Sequence, residues 1–435
     1  MPDRAKLIAW PLFLFAAAAP FSVAVGNLAA GLIMVTATVY LLVTRDRAAL
    51  PHRAVIVALV VYVAIHALAD AAAAPYPTRW DKWTEELWLK LLLIAVPVLG
   101  YRNPGQLVRA VKVTILFGTA AAVYAICQHF TGVDFVGGRS LHQAQGEYHA
   151  LGFFNHHLSY GGHAMLLFLF ATAWAALCGF GRRWRQWRYA IPALLLFAAL
   201  MWSYARSPQI GAAAGLVVIV LALPGRQRKF GIAAGVALAA ATLALPTVRW
   251  RFSQLIVGGE PTRINLWRSS LHGVTDRPLL GFGQGNFDRM LEQYEVAGYY
   301  DVRGHAHNDF VMHAVNAGVL GLLAALVLLV VVTWLLWRGY RRTSAQDVRY
   351  GWVLLGGVAA QVAVSVAGLF QVYQTDDEVE MLLYFLLGCG LGLLPRTSWT
   401  TAVTDTRRLT ASAMIALFVT TAGAATAFVV VGYVR

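Results

Sequence analysis

Residues 304–336 read GHAHNDFVMHAVNAGVLGLLAALVLLVVVTWLL. The stretch begins in a long polar segment and passes directly into an apolar run, 310–336, that carries no Asp, Glu, Lys or Arg. About 20 such residues cross a bilayer. Lipid offers backbone amides no partner, so a run of this kind is satisfied only as a helix. His307 and Asn308 stand at its mouth, and Gly318 and Gly321 follow at a spacing that lets another helix approach closely. A titratable imidazole is thus placed where a membrane span meets an arginine-rich loop. That arrangement suits acyl, glycosyl or phosphoryl chemistry on a lipid-linked anionic substrate.

Similar runs recur outward from this one, at 8–24, 27–44, 54–72, 87–101, 107–126, 157–180, 189–204, 209–223, 229–247, 350–371, 380–394 and 409–432. The chain has 435 residues, of which 59% are hydrophobic and 13% charged, and a soluble domain carries about twice that charged share. The expected fold is an all-α integral membrane protein, a polytopic bundle of about 12–13 transmembrane helices. Its segments are 1–247 (helices, with a polar loop at 127–156), the long loop 248–309, and 310–435 (helices). A net charge of +14 would suggest nucleic acid in a soluble protein. Here much of the basic excess falls in short connectors, at Arg45/Arg47/Arg53, Arg182/Arg183/Arg185/Arg188, Arg226/Arg228/Lys229, Arg338/Arg341/Arg342 and Arg407/Arg408. These alternate with poorly charged turns, which predicts a cytoplasmic side and no nucleic-acid partner. The other side receives 73–86, 127–156, Ser203–Pro208, 248–309 and 371–379.

Cys127, Cys178 and Cys389 are scattered in or beside apolar runs and form no metal or disulfide framework. There is no P-loop, and Gly281, Gly283 and Gly285 form a G-x-G-x-G outside any nucleotide-binding context. No cofactor and no metal are expected, so the energy for a reaction must reside in the substrate.

Loop 248–309 is too long for a plain connector. Apolar spacing around Trp267 predicts a helix over 264–274, 278–287 is a glycine-rich turn, and 287–294 is again helical. Glu260 or Thr262 can open the first helix, which puts Arg263 near its N-terminus, a phosphate-binding arrangement. Arg206 sits in the turn SYARSPQ between two apolar runs; a guanidinium there is costly unless it faces a wet cavity or an anion. His307 is the candidate base, with Asn308 or Asp309 to orient it and His305 and His313 nearby. Loop 127–156 carries His129, Arg139, His142, Gln145, Glu147, His149, Asn155 and His156 among aromatics, a composition that suits carbohydrate contact. Arg79, Trp80, Lys82, Trp83 and Trp88 suggest an interfacial amphipathic segment.

The His307-Asn308-x9-Gly318-x-x-Gly321 string, the Arg206 turn, and the stretch from Arg263 through Trp267 and Asp276-Arg277-Pro278-Leu279-Leu280-Gly281 resemble the O-antigen ligase family. The resemblance covers about 200–325 by motif and the whole chain by topology. It implies a GT-C-like glycosyltransferase of the bacterial inner membrane that works at the periplasmic face by metal-independent, inverting transfer. The implied donor is a polysaccharide on undecaprenyl pyrophosphate, and the implied acceptor is a sugar hydroxyl of lipid A–core oligosaccharide. Arg206 and Arg263 would hold the pyrophosphate and His307 would take the acceptor proton. His305, Asn308, Trp267 and Arg139 are expected to contact substrate. The same residues would serve an O-antigen polymerase or a protein O-oligosaccharyltransferase, although one dominant outer loop fits the ligase. A lipid-linked glycan transporter would want charges buried in mid-helix, whereas the clear charges here lie at span ends, Asp70 excepted.

Overall fold

The computed structural model describes residues 2–79, 81–82, 87–144, 146–179, 188–244, 249, 261–300, 304–343 and 348–394. The expected span 409–432, Trp80, Trp83, Gln145, Arg182, Arg183, Arg185, Glu260, Arg407 and Arg408 lie outside those residues. The chain is an all-α polytopic membrane protein. Its helices are α1 (Pro2–Ala18), α2 (Val23–Thr44), α3 (Arg53–Ala71), α4 (Leu92–Gly100), α5 (Pro104–Thr131), α6 (His157–Trp174), α7 (Ala190–Trp202), α8 (Arg206–Ala222), α9 (Gly225–Ala244), α10 (Pro261–Asp276), α11 (Phe287–Tyr294), α12 (Asp309–Thr343), α13 (Val348–Ala367) and α14 (Asp377–Gly392). Six helices among the described residues are long and apolar enough to cross a membrane: Val23–Thr44, Arg53–Ala71, Pro104–Thr131, His157–Gly179, Asp309–Arg342 and Tyr350–Ala367. Two short antiparallel ribbons stand in the loop after α5: β1 (Val133–Asp134) with β2 (Arg139–Ser140), and β3 (Gln143–Ala144) with β4 (Glu147–Tyr148).

Helix α13 lies at the centre, packed on α6, α8, α12 and α14. Its closest approach is to α8, and the sequence explains why. Gly211 and Gly215 are four apart on one face of α8, and a Cβ at either would fall within 3 Å of the Ala363 or Ala359 carbonyl of α13. Small residues at that spacing let two membrane helices touch by their backbones. This pair fixes Arg206, at the start of α8, relative to the chain that leaves the far end of α13.

Helix α12 is broken where the sequence led us to expect helix–helix packing. Ala317 (φ −136°) and Gly318 (φ 64°) leave helical geometry, and the loop after α10 enters the gap. Phe282 and Gly283 donate to the carbonyls of Val315 and Asn316 (2.8 and 2.9 Å), and Val319 donates to that of Pro278 (2.8 Å). The loop thus supplies the hydrogen bonds that the break removes, as backbone at membrane depth requires. A Cβ on Gly318 would lie 2.2 Å from the Leu279 carbonyl carbon. Its role is therefore to admit a loop. Gly321 keeps the expected packing role, facing His66 of α3. The loop also holds α3: Gln284 donates its N–H to Asp70 (2.6 Å) and its side chain meets His66 (2.8 Å), while Arg277 donates to the Ala73 and Ala74 carbonyls (2.9 and 3.0 Å).

Charge is also present inside the bundle. Lys90 and Glu380 pair at 2.5 Å, each side chain about 1% exposed, and Lys90 lies over the rings of Tyr62 and Tyr384. They escaped the sequence reading because each stands near the end of an apolar run, where an ion looks solvated. Removing one partner of such a pair strands the other. Lys90→Met alone should lower stability by about 3–5 kcal/mol, whereas Lys90→Met with Glu380→Leu should recover most of it. The thermal midpoint in detergent checks this, and equal losses in the single and double variants would contradict it.

Candidate active site

The segment between the cap helices and α12 is short and tightly held. His307 has a left-handed backbone (φ 50°), which a non-glycine residue keeps only under constraint. Its N–H donates to His305 Nδ1 (3.2 Å), and the two rings lie 4.2 Å apart. Trp267 of α10 donates its indole N–H to the Ala306 carbonyl (2.8 Å), between the two histidines. Trp267 was expected to meet substrate; here it anchors the histidine loop. Asn308 likewise has a different job. Its Oδ1 accepts from the Phe310 and Val311 N–H groups (2.9 and 3.1 Å) and its amide donates to the Leu369 carbonyl (3.1 Å). It is a buried helix cap.

Asp309 brings in the outer turn after α13, in which the sequence reading gave Gln371 and Tyr373 no role. Its Oδ1 accepts from the N–H groups of Tyr373 and Gln374 (2.9 and 3.1 Å), and its own N–H donates to the Gly368 carbonyl (2.8 Å). The 368–374 turn is thereby folded against the histidine loop. Gln371 meets His307 Nδ1 through Oε1 at 2.7 Å, a contact in which Nδ1 donates and that favours the tautomer protonated there. Gln371, not Asn308 or Asp309, orients the ring. Tyr373 reaches the other way and shares a hydrogen bond with Ser207 Oγ (2.9 Å), one residue after Arg206. The only sequence signal for this turn was the pattern FQVYQ between two spans.

Arg206 is the first residue of α8 and Arg263 the third of α10, so each guanidinium stands at a helix N-terminus, where the helix dipole also favours anions. Arg263 faces both sides of the cluster. His305 is pushed down to about 4, first by burial and then by the charges of His307 and Arg263. Tyr373 is pushed far above the usual phenol range, mainly by burial, with Asp376 and Asp309 adding and Ser207 and Arg263 opposing. Arg206, Arg263, His305 and His307 therefore belong to one neighbourhood, organised by Tyr373 and Asp309. His313 lies deeper on α12, bonded to Gln374 (3.1 Å) and beside His66.

Arg139 does not join them by any contact of its own. Its guanidinium binds Asp134 (2.8 Å), Asn155 (3.2 Å) and the Phe154 carbonyl (2.9 Å), which braces loop 127–156. That loop approaches the site instead through imidazoles: His129 stacks on Trp202 and His149 lies 5.2 Å from the ring of Tyr204, two residues before Arg206. On the far side, Asp376 accepts from Ser159 Oγ (2.7 Å). Burial, then Glu378, raises its carboxyl well above the usual range.

Two helix-terminal arginines and an imidazole bonded to Gln371 thus stand on elements that meet at one end of the bundle. Residues 191–326 match the family model described as O-Antigen ligase. The matched residues span Arg206, Arg263 and His307. No curated protein matches the chain.

The placement of Arg263 against His305 is open to direct titration. By histidine NMR, His305 should titrate near 4. In Arg263→Ala its midpoint should rise yet stay below that of a solvated histidine, since burial remains. An unchanged midpoint would mean that Arg263 does not face the histidine loop.

Proposed function

We propose that this protein is an O-antigen ligase, transferring a polysaccharide from undecaprenyl pyrophosphate to a sugar hydroxyl of lipid A–core oligosaccharide at the periplasmic face of the bacterial inner membrane. One observation carries the reading. The 368–374 turn bonds through Asp309 to the start of α12, two residues after His307, and through Tyr373 to Ser207, so the Arg206 and His307 elements meet at one point. The basic side-chain clusters away from this point sit at the other bundle end. There Arg53 and Arg338 hold His52 below its usual range after burial has done most of it, and Arg102 binds Tyr40 (2.9 Å). That separation fits an inside rich in arginine and an outward-facing site.

In the proposed reaction the acceptor hydroxyl oxygen attacks the anomeric carbon from the face opposite the pyrophosphate. The bond from that carbon to the phosphate oxygen breaks, and configuration inverts. The hydroxyl proton passes to His307 Nε2, and undecaprenyl pyrophosphate leaves with the electron pair. Arg206 and Arg263, with the helix N-termini they head, neutralise the charge that builds on the leaving oxygen. Gln371 keeps the imidazole in the tautomer that can accept.

Purified protein in detergent, given the lipid-linked glycan and lipid A–core with EDTA present, should place glycan on lipid A–core. His307→Ala, Arg206→Ala and Arg263→Ala should each lower turnover by roughly 10²–10³-fold. Longer glycan on the undecaprenyl carrier, with lipid A–core untouched, would make the protein a polymerase; no transfer by the native chain would return a transporter. Gln371→Ala should cost only about 3–10-fold, the worth of one neutral hydrogen bond. Gln371→Glu should move the acid limb of the pH–rate profile upward, because a carboxylate beside the ring favours the imidazolium. A profile identical to that of the native chain would remove Gln371 from the orienting role.

A further inference from the structure

The exposed face of α5 is a ruler. From Lys112 onward its outward residues are Leu116, Ala120, Val123, Cys127 and Phe130, in steps of four and three. No Asp, Glu, Lys or Arg lies between Lys112 and Phe130. Eighteen residues of helix measure about 27 Å, close to the ~30 Å of a bilayer's hydrocarbon. With the Lys112 ammonium at one boundary, Phe130 stands at the other, 68% exposed.

The chain then turns at Gly132 into the β1–β2 hairpin, and the hairpin sorts its side chains in an unusual way for a water-facing loop. Asp134 turns inward, while Arg139 and Ser140 of β2 stay at the surface. Asp134 accepts from Arg139, Tyr124, Gln128 and the Gly137 N–H. The apolar groups turn outward: Val133 is 42% exposed, Phe135 61% and Val136 71%. Together with Phe130 they extend the lipid-facing stripe of α5 past its end without interruption.

We propose that the β1–β2 hairpin lies in the membrane interface, with Phe130, Val133, Phe135 and Val136 inserted among lipid headgroups and upper acyl chains. The occupant is lipid because the patch continues the face of a helix that lipid already covers and stands at the depth where hydrocarbon ends. The hairpin fastens loop 127–156 to the bilayer surface. Since His129 of that loop stacks on Trp202, the anchor also sets the height of the Arg206 turn above the membrane. This assignment does not depend on the reaction proposed above.

Spin labels test it in nanodiscs of phosphatidylethanolamine and phosphatidylglycerol, with Cys127, Cys178 and Cys389 changed to serine. Labels at Phe135→Cys and Val136→Cys should collide more with oxygen than with a water-soluble nickel chelate, as a label at Val123→Cys does, and Gln143→Cys should show the reverse. A Phe135 label that follows Gln143 would overturn the proposal. A photo-reactive benzoylphenylalanine at 135 in the otherwise native chain provides a second measurement. Adducts with the mass of a phospholipid are expected, and adducts to a second copy or to another protein would overturn it.

Discussion

One buried carboxylate holds the outer end of this bundle together. Asp309 is the first residue of α12 and is 2% exposed, and it gathers the N–H groups of Tyr373 and Gln374 while its own N–H takes the Gly368 carbonyl. One carboxyl oxygen thus satisfies two backbone amides at once. These bonds work here only because position 368 is glycine, since a Cβ there would come within 2.4 Å of Asp309 Oδ2. Through this contact, chain segments more than 60 residues apart share one geometry. The oriented imidazole is a consequence of it, because Gln371 lies inside the turn that Asp309 folds.

The break in α12 makes the same point about the lower side of the site. An uninterrupted helix would leave no room for the loop between α10 and α11. With the gap at Ala317–Gly318, residues 278–283 become part of the helix's own bonding and are then clamped to α3 through Asp70, Ala73 and Ala74. Helix α10, which carries Arg263 and Trp267, is therefore tied to membrane helices at its C-terminal end and to the histidine loop along its length. A cap seated only by its surface would not hold a guanidinium in register with residues of α8. Its small core of Leu266, Phe282, Phe287, Met290, Leu291 and Ala306 includes Val315 of α12 itself.

The spans were legible because twenty-odd apolar residues admit one backbone solution in lipid. The helices around Trp267 and after Phe287 were legible from apolar spacing, and Arg263 near a helix start followed from local chemistry. Residues whose roles depend on distant partners were read less well. Asn308 and Trp267 have side chains that suit a sugar, and nothing local tells that one caps a helix and the other holds a carbonyl. Arg139 reads as a binding arginine until Asp134 and Asn155 fold onto it. Gln371 and Tyr373 carry no chemical motif beyond the bare FQVYQ between two spans, for their importance arises from Asp309 and Ser207, which lie far away in sequence. Gly318 was recognised as special, but whether a glycine admits a helix or a loop is settled by its φ, which no spacing encodes.

Backbone strain separates the two ends of the molecule in a way that bears on the chemistry. Among the described residues, three non-glycine residues have left-handed conformations: Arg45, Tyr204 and His307. Arg45 ends α2 with its N–H on the Leu41 carbonyl, an ordinary helix termination. The other two both stand at the candidate site, one just before Arg206 and one at the imidazole. Each costs about 1–2 kcal/mol relative to a relaxed residue, so each persists only where surrounding contacts over-determine it. Tyr204 is enclosed by the rings of His129 and His149, and His307 is held from both sides by His305 and Gln371. Transfer between two large lipid-linked molecules gains most from groups that need no rearrangement as charge develops. A backbone that spends folding energy to fix an arginine turn and an imidazole in place is the form such preorganisation takes in this fold.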